Sequence, residues 1–85
     1  MLPEPTVFSV LPQRREDVGD VIWVGTGGGL AVIAEDGSSA VFDVDAGLFD
    51  PSVYALTDDG DGRVWIGTAQ GLNVLSPGVG PPTRL

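Results

Sequence analysis

The residues best placed to do chemistry form the acidic run Asp58-Asp59-Gly60-Asp61-Gly62. Carboxylates this dense suggest calcium. An EF-hand-type loop, however, sets acids at alternate positions and closes with a Glu. Thr57 occupies the first position, and no Glu follows Asp61. The run is instead expected to be a solvated hairpin turn whose Asp side chains cap turn amides, and no metal is expected. Arg14 and Arg15 form the second cluster and suit an anion, though exposed arginines ordinarily just solvate. Gly27-Gly28-Gly29 is not a phosphate loop, because no lysine or helix pattern follows it. The chain has no histidine and no cysteine, which removes the commonest metal ligand, the usual general base and any disulfide. Catalysis would fall to acids, Tyr54, Ser and Thr. Asp50 with Glu4 of a neighbouring copy is the pair that suits acid–base work in a lyase or hydrolase. The main expectation is a non-enzyme without a cofactor.

Composition narrows the partners. Twelve acidic residues against four basic ones give a net charge of −8 over 85 residues. Nucleic acids and anionic membranes need a basic patch, so neither is an expected partner. No apolar run nears the ~20 residues of a membrane helix. The start, Met1-Leu2-Pro3-Glu4-Pro5, lacks a basic leader and a long apolar core. A cytoplasmic place is expected of a complete chain, and a periplasmic one of a piece of a sensor. All four bases are arginine. With the richness in Ala, Val, Gly and Asp, this fits a bacterial genome rich in G and C. A lone chain of this length buries only ~60–65% of its extended surface, a marginal core.

The elements that position these residues come in two copies. Trp23-Val24-Gly25-Thr26-Gly27-Gly28-Gly29-Leu30-Ala31-Val32-Ile33 recurs 42 residues on as Trp65-Ile66-Gly67-Thr68-Ala69-Gln70-Gly71-Leu72-Asn73-Val74-Leu75. A period in the forties marks stacked supersecondary units such as propeller blades. Short Val-, Ile- and aromatic-rich runs cut by Gly or Pro read as strands. They are expected at Thr6 to Leu11 and Ser52 to Thr57, at Val21 to Thr26 and Arg63 to Thr68, at Leu30 to Ala34 and Leu72 to Leu75, and at Ala40 to Val44. A last, short edge strand is expected near Pro82 to Leu85, where prolines weaken the pattern. Gln13 to Asp20 holds a four-residue insertion relative to the second copy and is expected as a longer loop. Leu2-Pro3-Glu4-Pro5-Thr6-Val7-Phe8 echoes Leu48-Phe49-Asp50-Pro51-Ser52-Val53-Tyr54, so the expected units are two in-phase blades, 1–46 and 47–85. The repeat core is expected to be Trp23, Gly25, Thr26 and Leu30, with Trp65, Gly67, Thr68 and Leu72. Both tryptophans are expected to pack inside, and both threonines to hydrogen-bond within their blades.

Asp61-Gly62-Arg63-Val64-Trp65-Ile66-Gly67-Thr68, with Gly71-Leu72 after it and Gly47-Leu48 and Val53-Tyr54-Ala55-Leu56 before it, resembles the two-component-regulator propeller repeat. The first copy, Asp20-Val21-Ile22-Trp23, departs by lacking the glycine before its aliphatic pair. The resemblance implies an all-β chain of two four-stranded antiparallel β-propeller blades, often found in bacterial sensor regions outside the cytoplasmic membrane. It implies a signalling role less directly, since fold does not transfer function.

Rings of 4–8 blades are typical. Two blades leave two sheet faces of ~300 Å² each uncovered, at or above the largest apolar patch usual on a soluble monomer. The expected remedy is homo-oligomerisation, head to tail, into a closed ring of three chains with six blades or four with eight. The alternative is a fragment, natural or engineered, of a larger propeller. A small ligand, if bound, is expected at the rim carrying Glu4, Phe49, Asp50, Gln70 and Gly28, above a channel lined by residues such as Ser9 and Ala55.

Overall fold

Short β-branched and aromatic runs, separated by glycine turns, pair with their immediate neighbours in sequence. The computed structural model describes residues 6–15, 19–48, 50–60, 62–76 and 82–85. Its first sheet is a meander of β1 (Val7–Arg15), β2 (Gly19–Thr26), β3 (Gly29–Ala34) and β4 (Ser39–Phe42). Its second repeats that order with β5 (Val53–Asp58), β6 (Val64–Thr68), β7 (Leu72–Leu75) and β8 (Thr83–Arg84). All pairings are antiparallel. The chain is all-β, and the described residues contain no α-helix.

The threonine that ends β2 shapes the hairpin after it. Thr26 Oγ1 donates to the Gly29 carbonyl at 2.9 Å and accepts from the Gly28 amide at 3.1 Å. Thr68 does the same to the Gly71 carbonyl and amide, at 2.7 and 3.1 Å. Gly29 has a φ of +139°, and a Cβ there would lie 2.5 Å from the Phe42 carbonyl oxygen. The acidic turn closes as its composition implies: Asp58 Oδ1 accepts the Gly60 amide at 2.6 Å, and Asp59 Oδ1 the Arg63 amide at 3.3 Å.

Two boundaries differ most from the sequence pattern. The insertion at Gln13 to Asp20 is not simply a loop. It prolongs the β1–β2 ladder, with Gln13 opposite Val21, Arg14 opposite Asp20 and Arg15 opposite Gly19, because the added residues extend both arms equally. The fourth strand stops at Phe42 rather than Val44. There Asp43 caps a single 3₁₀ turn, Val44–Ala46, by accepting the Ala46 amide at 3.2 Å, and Gly47 ends it in the left-handed region. The edge strand β8 is short, as the prolines before it imply, with two residues.

The first strand of each sheet, the inner strand (β1 and β5), carries the same irregularity. Register shifts between Val7 and Ser9 against β2, and between Val53 and Ala55 against β6. The residues left over, Phe8 and Tyr54, are β-bulges. A bulge reverses the side-chain alternation beyond it, so each inner strand serves one face of its sheet at its start and the other afterwards.

Candidate functional site

The two sheets meet face to face, and this joint is the only sizeable core among the described residues. Val21, Trp23 and Leu30 of the first sheet pack with Val53, Val64, Ile66 and Leu75 of the second, and Leu48 of the connection completes the cluster. Strand alternation assigns the faces: Val21, Trp23 and Gly25 share one side of β2, while Val64 and Ile66 share one side of β6. Gly25 sets the closeness of the contact. A Cβ there would lie 2.7 Å from Val53 Cγ1 and 2.8 Å from its carbonyl oxygen.

Gln13 supplies the polar seam. Its Oε1 accepts from Trp23 Nε1 at 3.0 Å. Its Nε2 donates across the joint to Asp58 Oδ2 at 2.7 Å and to the Gly62 carbonyl at 3.2 Å. The side chain is buried, so this bonding is what makes its burial tolerable. Asn73, also buried, donates to the Gly47 carbonyl at 3.1 Å and ties β7 to the connection. Sequence reasoning assigned a role to neither residue. The signal for Gln13 lay in register: counted along the inner strands, it occupies the position of Asp59, which accepts from Trp65 Nε1 at 3.4 Å.

Each face at the joint has a counterpart on the outside of the other sheet. The matched registers Val7–Thr26 and Val53–Thr68, and Val10–Val24 and Leu56–Ile66, fix the correspondence. Val53 is fully buried and Val7 is 44% exposed; Val64 is 1% exposed and Ile22 44%; Leu30 is fully buried and Leu72 41% exposed. Ile33, the counterpart of buried Leu75, is likewise exposed, as is Val10, the counterpart of half-buried Leu56. The outer side of sheet one thus repeats the inner side of sheet two, and the reverse holds as well.

This correspondence explains where the Trp, Gly and Leu of the repeat core sit. Trp23, Gly25, Thr26 and Leu30 are buried. Trp65, Gly67 and Thr68 are half-buried and Leu72 is exposed, which differs from the expected packing of the second copy. The side of β6 and β7 that carries Trp65, Gly67 and Leu72 matches the side of β2 and β3 that sheet two covers, and among the described residues no third sheet lies against it.

The expected rim residues are placed as follows. Glu4 and Phe49 lie outside the described residues. Asp50 is half-buried, and its Oδ1 accepts the Ser52 amide at 2.8 Å. Gln70 is exposed on the β6–β7 turn, its amide donating to Thr68 Oγ1 at 3.3 Å. The two turns adjoin, since the Ala69 amide donates to the Ser52 carbonyl at 3.2 Å. The bulge pair was not foreseen as a site. Phe8 and Tyr54 are about half exposed, with ring centroids 5.0 Å apart at an interplanar angle of 57°. Their shared place in the repeat was the available clue.

The acids elsewhere serve turns. Asp36 accepts both the hydroxyl and the amide of Ser38, at 2.6 and 2.8 Å, and these bonds hold its carboxyl below the ordinary value. Asp58 and Asp59 are engaged by Gln13, Gly60, Arg63 and Trp65. No group of three metal-ligating side chains occurs among the described residues.

No curated protein and no solved structure matches this chain significantly. A family model, two component regulator propeller, does match residues 47–70, which run from Gly47 through β5 and β6 to Gln70.

Proposed function

We propose that the chain is a non-catalytic propeller module that completes itself with further copies of the same chain, head to tail, in a closed ring. The observation that carries this reading is the correspondence of faces. Val7, Val10, Ile22, Ile33 and Leu72 are exposed, and each takes the position of a residue buried or half-buried at the inner joint. Stacking sheet two of one copy on sheet one of the next would repeat a joint the chain already makes. An interface of that kind is heterologous, and it ends only by closing. Two sheets per chain give six blades from three chains or eight from four, within the usual range for propellers. Such a ring suits a binding, scaffold or sensor role, with the turns at Asp50 and Gln70 on one rim.

The mechanism is burial. Two faces of ~300 Å² each leave water at every new joint, worth on the order of 10 kcal/mol at ~25 cal/mol per Å² before the cost of association. Light scattering after size exclusion tests the proposal. A mass of three or four chains is expected. Ile22→Glu, on the outer face and away from the inner joint, is expected to return the mass to that of one chain. A monomer at high concentration would overturn the ring and favour the reading in which blades of a longer protein cover these faces.

A further inference from the structure

The outer faces match the inner joint in their apolar residues and depart from it in charge. Arg14 and Asp20 form an ion pair at 3.3 Å on the outer face of sheet one. Asp59 and Arg63 form another at the matching end of sheet two. All four have uncharged counterparts in the register of the other sheet. Gln13 takes the position of Asp59, Val21 that of Arg63, Gly60 that of Arg14 and Gly62 that of Asp20. Two of these positions touch at the inner joint, where Gln13 Nε2 donates to the Gly62 carbonyl.

We propose that at the joint between chains Arg14 and Asp20 of one copy meet Asp59 and Arg63 of the next, as a neutral cluster of two cations and two anions that selects a second copy of this chain as the partner. The inference rests on the head-to-tail reading. Val21 is buried at the inner joint, so Arg63 in the same setting would carry its guanidinium into a covered interface. A charge so placed needs oppositely charged, hydrogen-bonding partners. Asp59 already accepts from Arg63 Nε, and Asp20 of the next copy supplies the second carboxylate. Asp59 itself stands where the Gln13 amide donates, and a carboxylate cannot donate. Arg14 of the next copy supplies the missing N–H groups. Its side chain is 82% exposed and that of Asp20 is 61% exposed, so both can turn toward a partner. They border an open hollow also lined by Pro12 and Ile22.

Long-range electrostatics oppose this association, because each copy carries a net charge of −8. A test must therefore alter the local pattern and leave the total alone. The exchange Arg14→Asp with Asp20→Arg does so. It keeps the net charge and the cross-strand pair, but sets Asp against Asp59 and Arg against Arg63. Association is followed by sedimentation equilibrium at fixed salt, with far-ultraviolet circular dichroism and the emission of buried Trp23 as checks on the fold. Assembly of the wild-type chain, weakened tenfold or more in the exchange variant, is expected. Equal assembly of a folded exchange variant would overturn the ionic cluster while leaving the ring intact. Failure of the wild-type chain to assemble would overturn the ring and this inference with it. If the exchange variant does not fold, Arg14→Gln replaces it. That single change is expected to weaken assembly severalfold, and an unchanged association constant would count against the cluster.

Discussion

One motif stands twice in this molecule in two different environments. In the first sheet its tryptophan is 1% exposed, donates to Gln13, and stacks on Phe42 with centroids 6.4 Å apart. In the second sheet the same tryptophan is half-buried and donates to the turn residue Asp59. Leucine follows suit, buried at 30 and exposed at 72. Both copies share the bulge and the threonine-bonded turn. Burial in this fold is therefore a property of the neighbouring sheet rather than of the motif.

The largest expected effect tests that statement directly. Trp23→Ala should cost about 3–5 kcal/mol, the usual range for removing a large buried aromatic, whereas Trp65→Ala should cost markedly less in urea titrations of the dilute chain. Equal losses would break the comparison. The glycines sharpen it. Gly25→Ala drives a methyl into Val53 and should cost about 1–3 kcal/mol. Gly67→Ala finds only ordinary contact with Ala55 Cβ at 3.4 Å and should leave the dilute chain's denaturation midpoint unchanged. In the proposed ring Gly67→Ala should nevertheless weaken assembly, since Val7 of the next copy would take the place of Val53. Gln13→Ala should cost roughly 1–3 kcal/mol by stranding Trp23 Nε1 and Asp58 Oδ2, read as a loss of thermal midpoint together with a red-shifted Trp23 emission.

The smallest effect lies away from the joint. Ser38 favours the ionised form of Asp36, so the folded pKa sits below the unfolded value of 3.8. Stability from this group is fully present above 3.8 and is lost as pH falls through the lower folded value. Asp36→Ala should flatten the thermal midpoint against pH below about 4 and leave little trace at neutral pH.

The repeat, the strand order and the Asp and Thr turns were legible in the sequence because each depends on residues close together in the chain. The Trp-(aliphatic)-Gly-Thr signature and the Asp-Gly turns are sufficient for a hairpin. The inner joint was less legible. Gln13 meets Asp58 and Gly62 only after two sheets have stacked, and a buried amide is identical in sequence to an exposed one. The insertion was misread as a loop because added length does not reveal whether it falls in the turn or is divided between paired arms. Exposure at Leu72 and Trp65 could not be read from a pattern that gives the two copies the same residues.

The meander order also governs kinetics. Every strand pairs with its neighbour in sequence, so each sheet can zip up hairpin by hairpin over short loops, with little chain entropy lost at each step. The costly closure is the docking of sheet on sheet, where Gln13 must find Asp58 across 45 residues. Mutations in the turns should therefore slow folding, while those at the joint should mainly hasten unfolding. The edges where one sheet lets go of another are the places where this molecule comes apart first.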